Sequence, residues 1–432
     1  MLFTFFTLGC KVNTYESDAT RELFLAEGWQ ESQDNEIPDL VVVNTCTVTG
    51  MAAKKSRQHI RKFRNAYPKA LLVVMGCYGQ EEGENLIAEC GADLILGTTR
   101  RKQIVEYVKK GLQNQQRQVA VDANPRTFDY EEIATLFQPL NSRAFVKIQD
   151  GCDNFCSYCI IPYIRGKSRS RDPKAIIQEI NKLVNNGYHE IVITGIHTGG
   201  YGKDLENYSF SKLVEEILTN VPQLFRLRIS SIEATEIDDH FIELLGRFNN
   251  IADHLHIPLQ SGSESVLRRM NRRYHIADFL KTLDKIRKVR PKIAITTDVI
   301  VGFPGESNQE FSETFELIKK AEFSELHVFP FSKRENTAAA SMPNQVDSLI
   351  KKKRVGELLA LSEKFHDKYA ARFLGEPMSI LFEDYDSKTQ TYRGHASNYL
   401  EVHLKSASDI ANQVLEITYQ GPFNSGIKSK DF

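Results

Sequence analysis

At 432 residues, with 41% hydrophobic and 26% charged side chains, the chain has the make-up of a globular protein too long for one hydrophobic core, and roughly one domain per 150 residues predicts about three. A formal net charge of −1 excludes nucleic-acid affinity carried by overall charge, and no apolar run approaches the roughly 20 residues that span a membrane. The start, Met1 to Leu8, lacks a basic n-region and a small-residue cleavage site, so the seven cysteines are expected to serve metal or catalysis in the cytoplasm rather than disulfides.

In chain order, short apolar runs at residues 3–8, 40–44, 71–75 and 94–96 alternate with helical stretches and predict a parallel sheet covered on both faces. Cys10, Cys46 and Cys77 each stand just past one of the first three runs. Residues beyond the carboxyl ends of neighbouring parallel strands share one sheet edge, where open α/β folds place their ligands, so three thiolates are expected to converge. Cys90, inside the helical stretch Asn85–Cys90, is expected in the core. A polar stretch at 113–138, rich in Gln and Asn, predicts a linker.

Strands are then expected at 144–149, 190–194, 226–230, 254–257, 293–300 and 325–329, with amphipathic helices between them. Six such units predict a partial or complete βα barrel with its chemistry at the carboxyl ends of the strands. A charged helix at 346–373 leads to four alternating strands, 378–383, 392–395, 400–404 and 414–419, which suit a small antiparallel barrel of the kind that binds oligonucleotides. The expected fold class is therefore α/β, in three domains: 1–118, 139–368 and 373–432.

Directly after the first barrel strand stands Gly151-Cys152-Asp153-Asn154-Phe155-Cys156-Ser157-Tyr158-Cys159. Three thiolates in one loop can hold a [4Fe–4S] cluster and leave one iron open to a small chelator. Zinc is the alternative, although no histidine or fourth cysteine stands near in sequence to complete a tetrahedron. Two such clusters would each leave one iron free for a guest.

Four basic groups are candidate contacts for a phosphate backbone: residues 54–64, then Arg165, Lys167, Arg169 and Arg171, then 268–273, and 351–354. The second is favoured because it follows the cysteine loop. Near the carboxyl end, Tyr385, Tyr392, Arg393, His395, Tyr399 and His403 suit stacking on bases and meeting phosphates.

The CxxxCxxC run resembles that of the radical-SAM superfamily, whose cluster binds S-adenosylmethionine (SAM) through its open iron and cleaves it to a 5'-deoxyadenosyl radical. With Thr7-Leu8-Gly9-Cys10-Lys11-Val12-Asn13, Asn44-Thr45-Cys46-Thr47-Val48-Thr49 and Gly76-Cys77-Tyr78, nearly the whole chain resembles the methylthiotransferase family. Its motifs are most similar to the branch acting on N6-threonylcarbamoyladenosine at tRNA position 37. The branch acting on isopentenyladenosine usually has Gln-Met-Asn where this chain has Lys11-Val12-Asn13, and a third branch acts on a ribosomal-protein aspartate.

The resemblance implies two [4Fe–4S] clusters, held by Cys10, Cys46 and Cys77 and by Cys152, Cys156 and Cys159. One SAM would methylate the carried sulfur and a second would supply the radical that removes hydrogen from C2 of the adenine. Tyr158 would lie against the SAM adenine, Gly195 near its amino group, and Ser230, Glu233, Gln260, Asp298 and Gly302 around it. Gln260 and Ser261 are expected to face the cavity, while a side-chain role for His197, where the family usually has Asn, stays open. The resemblance further implies a C-terminal TRAM domain, the anticodon stem-loop of tRNA as partner, an electron donor such as flavodoxin or ferredoxin, a sulfur donor, no membrane, and a monomer.

Overall fold

The run Leu40-Val41-Val42-Val43 is wholly buried because helices cover both faces of the sheet it belongs to. In the computed structural model, which describes residues 1–33, 35–114, 116–135, 142–423 and 426–428, that sheet has six parallel strands. They are β1 (Leu2–Thr7), β2 (Gln30–Glu31), β3 (Leu40–Thr45), β4 (Leu71–Gly76), β5 (Leu94–Leu96) and β6 (Gln118–Ala120), in the order β2-β1-β3-β4-β5-β6. The apolar runs predicted the four inner strands; the edge strands β2 and β6, of two and three residues, are too short to carry such a run. Helices α1 (Lys11–Ala26), α2 (Gly50–Ala66) and α3 (Cys77–Glu82) leave the carboxyl edge after β1, β3 and β4.

The second body is a run of parallel strands, β7 (Arg143–Asp150), β9 (Glu190–Gly195), β10 (Arg226–Ile229), β11 (His254–His256), β12 (Ala294–Val301) and β13 (Glu325–Pro330), with β8 (Arg169–Ser170) antiparallel beside β7. Bridges from Leu227 to Ile251 and Ser231 to His256 join β10 to β11, making a partial βα barrel. Alternation fixes its two faces: Ala144, Val146 and Ile148 pack outward on Ile176 and Ile180 of the helix Pro173–Asn185, so Arg143, Phe145, Lys147 and Gln149 face inward. By the same parity, Glu190, Arg226, Arg228 and His254 face inward at the amino ends of their strands.

The stretch predicted as a linker is largely built into the protein, which corrects that reading; its residues 115 and 136–138 lie outside the described ones. Asp122 pairs with Arg100 at 2.7 Å, the Tyr130 hydroxyl donates to Lys147 O at 2.9 Å, and Ile133 O accepts from Tyr15 of α1 at 2.7 Å. Local polarity suggested solvent because the partners lie on other elements.

After the helix Ser348–Ala371 comes a third sheet of β14 (Pro377–Asp386), β15 (Thr391–Ala396), β16 (Glu401–Leu404), β17 (Val414–Thr418), β18 (Pro422–Phe423) and β19 (Gly426–Lys428). It is antiparallel except where β16 meets β19. It closes the amino end of the barrel, where Arg226 donates to Ser379 O at 2.8 Å and Arg228 to Ala396 O at 3.2 Å. Among the described residues no helix is long and apolar enough to cross a membrane.

Candidate functional site

Strands β1, β3 and β4 are neighbours in register, Thr7 opposite Asn44 and Thr45 opposite Gly76. Their cysteines therefore leave one edge of the sheet. Cys10 caps α1 and is exposed, Cys46 is half-buried, and Cys77, first residue of α3, is buried. Asn13 ties these turns together, donating to Leu8 O at 2.9 Å, Thr45 O at 3.0 Å and Asn44 Oδ1 at 3.2 Å. Burial pushes the Cys77 thiol up to about 12, against the opposing pull of Arg165, whose Nε donates to its Sγ at 3.3 Å.

The second triad hangs on the loop after β7. Gly151 begins it with a φ of 70°, and a Cβ there would lie 1.9 Å from Lys167 O, so only glycine lets the two backbones meet. Ser157 anchors the loop to the barrel through its N–H to Met270 O at 2.9 Å and its hydroxyl to Arg269 O at 2.8 Å. Burial pushes the Cys159 thiol up to about 12. Arg272 donates to Cys156 Sγ at 3.6 Å and to Glu233 at 2.7 Å. Burial depresses His197, but hydrogen bonds to Cys152 and to Glu236, the latter at 2.8 Å, outweigh it and carry its pKa up to about 10.

Each triad thus has a largely buried cationic side chain aimed at one of its sulfurs. That donor set suits thiolates and the net negative charge of a thiolate-ligated cluster. Among the described residues no three His, Cys, Asp or Glu side chains are arranged around a single metal ion. A cubane cluster spreads its thiolates over separate irons and needs no such tight focus. The triads also adjoin: Cys77 packs on Ile160 and Ile164, in the segment that follows Cys159.

The residues expected around SAM stand at the carboxyl ends of the barrel strands. Gly195 ends β9, with the Gln149 side chain so close that a Cβ would sit 3.0 Å from its Oε1. Ser230 bonds Thr194 at 3.2 Å, Glu233 is taken by Arg272, and Asp298 faces His256 at 3.3 Å. Gln260 holds a φ of 64° and its N–H donates to Asp298 O at 2.8 Å. Tyr158 packs beside Phe303 and Phe331. Gly302, at a φ of 70°, forms the turn leaving β12. Ser261 departs from expectation: it has no exposed surface and meets Thr314 at 3.2 Å, because the backbone at Gln260 turns it into the core.

The basic run after the cysteine loop needs a larger correction. Arg165, Arg169 and Arg171 are buried and cannot meet a phosphate backbone. Arg165 lies among Asn13, Glu16, Cys77 and Asp150; Arg169 donates to Pro125 O at 3.1 Å and Arg165 O at 2.8 Å; Arg171 pairs with Glu132 and Glu179. Lys167 alone is half-exposed, 3.5 Å from Asp129. Arg393 is half-exposed and paired with Asp384 at 3.0 Å, whereas His395 and Tyr399 turn inward to Glu383 and His254. The exposed basic surface near the triads is instead that of α2, where Lys54, Lys55, Arg61 and Lys62 face solvent and no acidic residue interrupts them. Sequence reasoning missed Arg272 and Arg165 as sulfur partners, because each reads as one charge in a basic run.

Residues 146–318 match the Radical SAM superfamily and residues 3–97 match the Uncharacterized protein family UPF0004. The threonylcarbamoyladenosine tRNA methylthiotransferase MtaB of Bacillus subtilis (strain 168) is 43% identical over 98% of this chain and 95% of its own. The protein of the same name from Thermotoga maritima is 37% identical over 92% and 89%. A tRNA-2-methylthio-N(6)-dimethylallyladenosine synthase of Caldicellulosiruptor saccharolyticus is 34% identical over 95% and 88%. Among solved structures, the radical S-adenosylmethionine methyltransferase TsrM from Kitasatospora setae shares the fold, with a TM-score of 0.59 at 14% identity over 78% of this chain and 74% of that one.

Proposed function

The chain belongs to the family of radical-SAM tRNA methylthiotransferases, and on that premise we propose that it replaces the hydrogen on C2 of N6-threonylcarbamoyladenosine, at position 37 of tRNA, with a methylthio group. The observation that carries the reading is the contact between the triads, Cys77 against the segment leaving Cys159. Sulfur insertion needs a sulfur carrier and a radical source at one place, and this packing supports it. The relatives named for threonylcarbamoyladenosine reach 43% and 37% identity, the one named for dimethylallyladenosine 34%.

Cys10, Cys46 and Cys77 would hold one [4Fe–4S] cluster and Cys152, Cys156 and Cys159 the other. With SAM bound, these groups supply the methyl transfer, the radical and the sulfur. The protein's part is orientation and charge. Arg165 and Arg272 hold thiolates in place, Asn13 fixes the sheet edge, and Gly195, Ser230, Glu233, Gln260 and Asp298 border the SAM pocket at the barrel mouth. For tRNA, the exposed face of α2 offers phosphate contacts, and Phe155 and Tyr163, exposed and 5.8 Å apart edge to face, offer bases a stacking surface. The third sheet is read as a TRAM domain, and the protein as a cytoplasmic monomer fed by a flavodoxin- or ferredoxin-type electron donor and a separate sulfur donor.

Anaerobic metal and sulfide analysis with nucleoside analysis of tRNA from a deletion strain tests this reading. It predicts iron and labile sulfide in the protein and loss of 2-methylthio-N6-threonylcarbamoyladenosine from the strain. Zinc without sulfide, or loss of the isopentenyl derivative instead, would overturn it.

A further inference from the structure

The amino end of the barrel holds more positive charge than its carboxylates take up. Arg226 and Arg228 close on Glu190 at 2.9 and 2.6 Å, and Arg143 stands 3.9 Å from it and 3.0 Å from Glu383. Glu383 also accepts from His395 at 2.6 Å. Tyr399 reaches in from the third sheet, with the Arg228 guanidinium 4.6 Å and that of Arg143 5.4 Å from its ring centre, and His254 stacked on it at 4.9 Å. Both carboxylates are thus fully committed.

Into this group comes one further cation. Lys11, first residue of α1 and next in sequence to Cys10, is half-buried, and the charged groups acting on it are Arg143, Arg228 and Glu190, with the Tyr399 phenol. Among the described residues its ammonium makes no hydrogen bond or ion pair. A half-buried ammonium beside two guanidinia, with the carboxylates around it already paired, favours an anionic guest.

We propose that Lys11 pairs with the carboxylate of the threonylcarbamoyl group and so selects this substrate over adenosines whose N6 substituent is uncharged. The inference rests on the function proposed above and deepens it. The carboxylate is the charged group that distinguishes this nucleoside from adenosine. The adenine that carries it must approach the sulfur carried by the Cys10, Cys46 and Cys77 edge, which puts the substituent within reach of the side chain one residue beyond Cys10.

The test measures binding of anticodon stem-loop RNAs to the full-length, cluster-reconstituted protein, with SAM affinity measured in parallel. Three RNAs are compared, bearing threonylcarbamoyladenosine, its threonyl carboxamide, or plain adenosine. The native protein should bind the acid about ten- to a hundredfold more tightly than the amide. Lys11→Met should abolish that difference, Lys11→Arg should retain it, and SAM affinity should not change in either. Should Lys11→Met fail to fold, Lys11→Gln makes the same comparison.

Equal binding of acid and amide, both tighter than adenosine, overturns the role of Lys11 and leaves the proposed function standing. Equal binding of all three RNAs removes both. A preference for the acid that survives Lys11→Met assigns the carboxylate to another residue, and a fall in SAM affinity instead shows that Lys11 serves the carboxylate of SAM; either result overturns the proposal.

Discussion

Arg165, with no exposed surface, spends its guanidinium on Cys77 at 3.3 Å, Glu16 at 2.8 Å, Asn13 at 3.0 Å and Asp150 at 3.1 Å. An N–H donated to a cluster sulfur raises that cluster's reduction potential. Arg165→Met should therefore shift the potential of the N-terminal cluster negative. It should also cost about 3–5 kcal/mol of stability by leaving buried carboxylates uncompensated. A redox titration followed by electron paramagnetic resonance, with Cys152, Cys156 and Cys159 replaced so that one cluster is seen, would expose an unchanged potential. Glu190 makes the corresponding case for pH. Burial pushes its carboxyl up, but Arg228, Arg226 and Arg143 outweigh this and hold it at about 2. A carboxyl depressed in the folded state contributes stability above its unfolded value of about 4.5, lost as pH falls from there toward 2. Denaturant midpoints across that range should fall, and Glu190→Gln should flatten this limb while lowering stability at neutral pH. Cys152, Cys156 and Cys159 were legible from their local spacing, and Cys10, Cys46 and Cys77 from each following an apolar strand run. The roles of Arg165, Arg169 and Arg171 were not, since Arg165 meets Glu16 and Cys77 far away in sequence and a run of charges looks solvated until its partners are placed.

Among the elements, the apolar runs located β3, β4 and the barrel strands to within a residue or two, because a strand packed on at least one face carries a run of apolar residues. The short edges β2 and β6 carry no such run. The supposed linker misled because Tyr130 and Ile133 find their partners, Lys147 and Tyr15, on β7 and α1. The loop of the second triad depends on Gly151, whose positive φ and close approach to Lys167 O exclude a side chain. Gly151→Ala should displace the loop and lower iron content after reconstitution toward that of the N-terminal cluster alone, while the far-ultraviolet circular dichroism stays native. Full iron content in that variant would show that the close approach does not matter for cluster assembly.

Over the whole molecule, three sheets meet so that the cysteine edge of the first lies against the mouth of the second and the third closes its base. The order of these units was legible in the sequence, and their docking was not, because the residues that join them, such as Cys77 with Ile160 and Arg226 with Ser379, lie far apart in sequence. Exposed Lys54, Lys55, Arg61 and Lys62 give α2 a cationic face beside Cys46. Replacing them by Glu should weaken tRNA binding and flatten its salt dependence, the slope of log affinity against log salt falling by about 0.7–0.9 for each phosphate that is no longer neutralised. An unaltered slope would place the tRNA elsewhere on the surface. The most direct measurement for the whole account is nucleoside mass analysis after anaerobic incubation of the reconstituted protein with SAM, a reductant and tRNA bearing N6-threonylcarbamoyladenosine. The account predicts the 2-methylthio product, and none when either Cys77 or Cys159 is replaced by alanine. Product formed undiminished without Cys77, or a methylthio group gained only by isopentenyladenosine, would contradict it.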